Sequence, residues 1–196
     1  MIPLWLKLAY SVFVAFIVPV YAKKWGWGNF LWFSDIALLL MVPALWLESR
    51  WLVSMMAVGV LLPESVWIIS FFYRLLTGKR ISGLPDYMFD AEKPLWLRAL
   101  SLFHVFLPVL MLWMLVRLGY EPLAWLAQTA LAWIVLPLSY LLTDPKENVN
   151  WVYGISSKPQ NRMPPLVYLA LVMICFPVAI YWPTHLVLKL LFSGEP

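Results

Sequence analysis

The sequence predicts an all-α integral membrane protein, a polytopic transmembrane bundle of six proline-kinked helices with both termini outside. Apolar side chains make up 63% of the 196 residues, and a membrane-spanning helix needs about 20 apolar residues. Charged residues are only 12%, against about 25% in soluble domains. The single cysteine, Cys175, lies in an apolar run and cannot form an intramolecular disulfide. These observations exclude a soluble globule, a disordered chain and a disulfide-rich secreted module.

Six continuous apolar stretches are separated by polar or charged segments. In chain order they are 2–22, 29–47, 51–75, 95–117, 122–143 and 165–192. They are too long and too uniform for the alternating strands of a membrane β-barrel. Each contains proline, which removes a backbone donor and frees the carbonyl four residues earlier. The first stretch lacks a preceding basic segment, so we expect an uncleaved signal anchor. No linker divides the chain, and we expect one domain over 1–196.

Lysine and arginine residues in the connections predict the orientation of the bundle, because they are enriched on the cytoplasmic side. With the N-terminus outside, ten of the 14 cations fall on the inner side and four on the outer side. The default location is a bacterial inner membrane. There is no basic run that would follow nucleic acid. The inner loop 77–94 mixes charges with apolar side chains, and either a surface-lying amphipathic segment or an ordinary solvated loop fits it.

Ionisable side chains inside a bilayer are costly, and they usually face a partner or a cavity. Four lie inside the predicted spans: Asp35, Glu64, His104 and His185. At a rise of 1.5 Å per residue, Asp35 and His104 lie about 9 Å from the inner face and Glu64 about 15 Å. We therefore expect the first three to share a hollow in the inner half. Kinks at Pro63 and Pro108 either open this hollow or are simply tolerated.

The end of the fifth span and the connector after it add polar and aromatic groups at the same face. We expect these residues to contact a substrate: Tyr140, Asp144, Asn148, Asn150 and Trp151. His185 lies about 30 Å from the inner face, too far to share one haem iron with His104. No ligand-spacing motif such as HExxH is present, so we expect neither a metal nor another cofactor.

The polar set fits three uses. A carboxylate beside a histidine can orient the ring so that it activates a hydroxyl or water. In that case His104 is the general base, Glu64 or Asp35 orients it, and Ser34 or Ser101 is the nucleophile. The same groups would also form a proton or cation pathway. Alternatively, they only fasten helices together, as in an accessory subunit of a membrane complex.

Three segments resemble the androgen-inducible-gene family of six-span intramembrane hydrolases: NFLWFSDIALL (29–39), PLWLRALSLFHVFLP (94–108) and NWVYG (150–154). That resemblance implies cleavage of lipid esters, including fatty acid esters of hydroxy fatty acids, by a threonine in the second span and a histidine in the fourth. His104 matches the histidine. Trp32 stands at the threonine position, and Ser34 is the nearest hydroxyl. The chain also resembles bacterial membrane-associated proteins without an assigned function.

The sequence thus favours an intramembrane hydrolase or acyl transferase whose substrate enters from the inner leaflet. Its expected partners are membrane lipids and a lipid-like or other hydrophobic small molecule, and not nucleic acid. A carrier of protons, ions or small hydrophobic molecules is the main alternative.

Overall fold

The computed structural model describes residues 1–155 and 159–192, and within these ranges the regular structure is entirely helical. Eight α-helices occur in chain order: α1 Leu4–Trp25, α2 Phe33–Trp46, α3 Arg50–Thr77, α4 Leu95–Leu100, α5 Phe103–Leu118, α6 Ala124–Leu142, α7 Pro165–Cys175 and α8 Trp182–Phe192. Short 3₁₀ segments lie at Trp27–Leu31, Asp86–Phe89 and Val149–Trp151. A π-helical segment, Phe176–Tyr181, joins α7 to α8.

Five helical segments of the described chain are long and apolar enough to cross a membrane. They are Leu4–Trp25, Arg50–Thr77, Leu95–Leu118, Ala124–Leu142 and Pro165–Phe192. The second predicted stretch, 29–47, differs: it contains the 3₁₀ segment Trp27–Leu31 and then α2, which has only 14 residues. At 1.5 Å per residue α2 is about 21 Å long, shorter than a hydrocarbon core of about 30 Å.

The helices run through most of their prolines without interruption. Pro19, Pro43, Pro63, Pro108 and Pro137 all lie inside continuous α-helices. The fourth stretch is interrupted at Ser101 and Leu102, six residues or more before Pro108. There the backbone N–H groups donate to the carbonyl three residues earlier, as in a 3₁₀ turn. In the last stretch Pro177 lies within the π-helical segment, a rare conformation that occurs mostly as a single-turn bulge inside an α-helix.

Helix α3 is the central helix of the bundle and packs against α2, α5 and α6. In the apolar 18-residue section of α3, 56% of the residues are buried, a larger share than in any other described helix that is long enough to span a membrane. Gly59 permits close approach to α6, because a Cβ atom there would lie 2.5 Å from Nε2 of the buried Gln128. The centre of the bundle is therefore built on α3.

Polar contacts sort the connections into two ends of the bundle. At one end Lys7 and the backbone N–H of Ile2 donate to Glu48, and Arg50 donates to the carbonyl oxygen of Tyr120. The N–H of Tyr120 also donates to the carbonyl of Phe192. The opposite end gathers the segments 26–32, 77–94 and 143–155. Lys158, counted above among the inner cations, lies outside the described residues.

The loop 77–94 folds back onto the bundle, which neither sequence interpretation anticipated. Met88 is buried in a small apolar cluster with Trp67 and Phe71 of α3. Asp86 forms ion pairs with Arg74 and Arg80. The loop therefore covers the side of α3 and α5 beside Trp67.

Candidate functional site

A cavity of about 390 Å³ lies at the loop end of the bundle, between α2, α3 and the α4–α5 junction. Small-molecule sites commonly have volumes of about 300–1,000 Å³. Among the sequence-predicted site residues, seven line this cavity: Ser34, Asp35, Glu64, Ser101, His104, Asn150 and Trp151. The structure thus gathers the three predicted ionisable groups around one hollow.

Glu64 and His104 form a hydrogen-bonded pair in the cavity wall. Nδ1 of His104 lies 2.9 Å and 2.8 Å from the two carboxylate oxygens of Glu64. The imidazole stacks between two rings, with centroid distances of 4.7 Å to Trp67 and 4.1 Å to Phe103. With an ionised Glu64 as acceptor, Nδ1 carries the proton and the lone pair of neutral His104 lies on Nε2.

Local helix geometry explains how α3 presents this pair. Glu64, Trp67 and Phe71 lie three and seven residues apart, so they share one face of the helix. Glu64 is only 3% exposed. The neighbouring Ser65 faces outward and donates its hydroxyl to the carbonyl of Leu61 in its own helix. The α3 face that carries Glu64 and Trp67 therefore lines the cavity.

Asp35 lies in the first turn of α2 and lines the same cavity as the Glu64–His104 pair. The helix begins at Phe33, after the 3₁₀ segment Trp27–Leu31 and the non-helical backbone of Trp32. A carboxylate in a first turn is favoured by the helix dipole and by free backbone N–H groups. Asp35 is 4% exposed; its Oδ1 has no hydrogen bond of good geometry among the described residues, and the side chain of Asn29 is its hydrogen-bonding neighbour.

Three hydroxyl groups meet on the α4 side of the cavity. Ser101 Oγ lies 2.9 Å from the hydroxyl of Tyr21 in α1, and Tyr87 of the loop also hydrogen-bonds Ser101. Burial raises the pKa of Tyr87 above its ordinary value, so this phenol keeps its proton at neutral pH. Within the described chain, neither the Ser34 hydroxyl nor the Ser101 hydroxyl is hydrogen-bonded to the His104 imidazole; the one bond between Ser101 and His104 joins the His104 N–H to the Ser101 carbonyl.

Asn150 is in the wall, but its amide is already engaged in structural bonds. Its Nδ2 donates to the carbonyl of Leu31 (2.7 Å) and to Ser139 Oγ (3.1 Å), and its Oδ1 accepts from the N–H of Phe33 (3.2 Å). These bonds tie the α6–α7 connector to the start of α2. We therefore assign Asn150 to holding the wall together rather than to contacting a substrate.

Three residues predicted to bind substrate lie outside the cavity lining. Tyr140 packs its ring against Tyr153 at a centroid distance of 5.0 Å. Asp144 is exposed and accepts the N–H of Lys146. Asn148 is buried and donates to the carbonyl of Gly154. Tyr140 lies in the last turn of α6, which ends at Leu142, and Asp144 and Asn148 follow in the connector, whose later residues Asn150 and Trp151 line the cavity.

Several lining residues were absent from the sequence prediction, including Tyr21, Trp67, Tyr87 and Glu147. The spacing of Trp67 from Glu64 on one helix face could have identified it. Tyr21 and Tyr87 carry no comparable signal, since their positions depend on how α1 and the loop pack.

His185 belongs to a separate cluster at the other end of the bundle. Its Nδ1 lies 2.8 Å from the hydroxyl of Tyr120, and its ring stacks on Trp182. No group of three or more His, Cys, Asp or Glu side chains within residues 1–155 and 159–192 is arranged to hold a metal ion.

Comparisons with protein-family models, with curated proteins and with solved structures found no match for this chain.

Proposed function

We propose that this protein is an intramembrane hydrolase or acyl transferase acting on a lipid-like substrate in the cavity described above. The observation that carries the proposal is the Glu64–His104 pair, held at 2.8 Å between two aromatic rings in the wall of a 390 Å³ cavity. A carboxylate-oriented imidazole is the usual general base in acyl transfer. The resemblance of segments 29–39, 94–108 and 150–154 to a family of intramembrane lipid hydrolases supports the same chemistry.

In the proposed mechanism His104 Nε2 accepts the proton of an attacking hydroxyl as its oxygen bonds to the acyl carbon. Glu64 keeps the proton on Nδ1 and stabilises the imidazolium that forms. The imidazolium then gives the proton to the leaving alkoxide when the ester bond breaks. Ser34 and Ser101 are the candidate nucleophiles in the wall, and a water activated directly by His104 would give hydrolysis in one step.

We further propose that the chain crosses a bacterial inner membrane six times, with both termini outside. The two-ended sorting of the connections supports this topology, because segments 47–50 and 118–123 lie at the end where the chain begins. The 3₁₀ segment Trp27–Leu31 together with α2 would then complete the second crossing. The excess of Lys and Arg in segments 22–32, 77–98 and 143–164 favours an inner-side position for the cavity.

The test is turnover of fluorogenic long-chain esters by the protein in neutral detergent or nanodiscs. We expect His104→Ala and Glu64→Gln each to lower kcat/KM by at least ~10²-fold, the usual contribution of a general base. Ser65→Ala is the control for serine substitutions, because its hydroxyl bonds only its own helix. A drop with Ser34→Ala or Ser101→Ala but not Ser65→Ala would identify the nucleophile.

Two results would overturn the enzyme proposal. One is full turnover by a folded His104→Ala protein. The other is a large fall in melting temperature for both His104→Ala and Glu64→Gln in a parent protein without turnover, which would mean that the pair only fastens α3 to α5.

A carrier is the second candidate. It is favoured by the burial of Asp35 and Glu64, which line the cavity together with His104. Such chains of ionisable groups commonly conduct protons. It predicts proton or cation flux in liposomes that Glu64→Gln abolishes and Asp144→Asn leaves unchanged.

A further inference from the structure

We propose that the cavity selects an amphiphile with a positively charged amine, either a protonated amine or a quaternary ammonium, attached to an apolar body. This inference deepens the proposed function, on which it rests, by naming the substrate class of the same cavity. The supporting observations are the charge of the wall, three polar atoms of the lining without a hydrogen bond of good geometry, and the aromatic lining.

The charge of the wall is one-sided. Three carboxyl side chains line the cavity, Asp35, Glu64 and Glu147, whereas the described lining contains no lysine or arginine. The one basic side chain in the described lining is the imidazole of His104, and it is hydrogen-bonded to Glu64. The carboxyl groups of Asp35 and Glu64 are buried, and charges interact more strongly at low dielectric, so these two groups favour a cation. An anionic headgroup would meet repulsion from Asp35 and Glu64.

Three buried polar atoms in the lining lack a hydrogen bond of good geometry within the described chain: Oδ1 of Asp35, Nδ2 of Asn29 and the indole Nε1 of Trp67. The neutral amide of Asn29 is the hydrogen-bonding neighbour of the Asp35 carboxyl. Asp35 and Trp67 are 4% and 5% exposed. Buried polar atoms of native proteins are nearly always hydrogen-bonded to protein or to water, so these atoms mark where the wall can still bind a polar group. Asp35 Oδ1 can accept from a donor or bind a cation in competition with Asn29, and the Trp67 N–H can donate to an acceptor such as an ester carbonyl. An amine-bearing ester supplies both.

Aromatic rings dominate the remainder of the lining. Nine line the cavity: Tyr21, Trp25, Trp32, Phe33, Trp67, Tyr87, Phe103, Trp151 and Phe176. Aromatic faces attract ammonium groups and also accommodate apolar chains. The rim already holds one such contact, since Lys93 lies 4.9 Å from the ring centroid of Trp25 while pairing with Asp90. The same wall therefore suits the head and the body of a cationic amphiphile.

The test compares two probes that differ only in charge: a dodecylamine with a dansyl group at its tail, and its N-acetyl derivative. Binding to the full chain in maltoside micelles is followed by energy transfer from tryptophan to dansyl. We expect the amine to bind at least ~10-fold more tightly at neutral pH. Asp35→Asn should reduce this preference to less than ~3-fold. The control Asp144→Asn, an exposed acid outside the cavity, should retain it.

Equal affinity of the parent protein for the two probes overturns the inference, even if Asp35→Asn does not fold. Unchanged preference in folded Asp35→Asn also overturns it. Competition by phosphatidylethanolamine but not phosphatidylglycerol would identify a lipid headgroup as the source of the amine, and no competition by either would identify a free amphiphile. His104→Ala separates the two proposals, because it should abolish ester turnover and keep the charge preference.

Discussion

The chemistry of the two histidines is decided by their neighbours rather than by their position in apolar helices. His104 has a carboxylate partner and faces a cavity, whereas His185 bonds a tyrosine and packs among tryptophans. The different depths of the two histidines along their spans predicted that they lie far apart. Which of them has an acid beside it follows from the packing of α3 against α5. The proposed chemistry therefore concerns His104 only.

At the residue scale, the Glu48 carboxylate gives a pH-dependent prediction. Hydrogen bonds from Lys7 and from the N–H of Ile2 lower the pKa of Glu48 below its ordinary value of 4.5. A lowered folded pKa adds stability above the unfolded pKa, and this is lost as the pH falls through the folded value. We expect Glu48→Gln to lower the melting temperature at pH 7, and the deficit to disappear as the pH falls through the lowered pKa of folded Glu48.

Differential scanning fluorimetry of the two proteins across this pH range checks the Glu48 prediction. Glu92→Gln serves as the control, because Glu92 is exposed and forms no ion pair among the described residues. A Glu48→Gln deficit that is independent of pH would show that the side chain acts through packing instead.

At the scale of elements, the loop 77–94 contributes to the site although it is polar and lies between spans. Its Met88 fills a space beside Trp67, and its Tyr87 hydroxyl reaches Ser101. Ion pairs of Asp86 with Arg74 and Arg80 hold the loop in place. The loop is thus a wall of the cavity, and loosening it should disturb the site without unfolding the helices.

Asp86→Asn tests this role of the loop. Partly exposed ion pairs contribute only about 0–1 kcal/mol each, so we expect little change in global melting temperature. Local opening should increase, which hydrogen exchange measured by mass spectrometry would show as faster exchange across 78–93. Glu92→Gln in the same loop should exchange like the parent. Unchanged exchange in Asp86→Asn would mean that Met88 and its apolar neighbours hold the loop alone.

At the scale of the whole molecule, the proposed six crossings predict which connections are reachable from each side. In a Cys175→Ala background, single cysteines replace Leu47 at one end and Lys79 or Lys146 at the other. With an impermeant maleimide on intact cells we expect labelling at Leu47 only. Lys79→Cys and Lys146→Cys should react after permeabilisation. Labelling of Leu47→Cys and Lys79→Cys from the same side would show that α3 does not cross the membrane.

The sequence by itself determined the helical class and five segments that are long and apolar enough to cross a membrane. These properties depend on local composition, because a bilayer requires long apolar helices whatever their arrangement. From the constant rise per residue it also predicted Asp35, Glu64 and His104 in the same half of the bundle. It overestimated the length of continuous α-helix in the second stretch. The composition there is uniformly apolar, but the backbone forms a 3₁₀ segment before α2 begins.

Only the tertiary structure decided which side chains meet. Rotation of each helix about its axis follows from packing, and the sequence does not mark the inward face of a helix when lipid and core are equally apolar. For that reason the sequence prediction did not include Tyr21 in the cavity and did include Tyr140, which lies outside it. Tyr87, Asp144 and Asn148 lie in loops, and their positions follow from how those loops fold onto the bundle. The 2.8 Å approach of Glu64 to His104, 40 residues apart in the chain, is likewise a product of how α3 packs on α5.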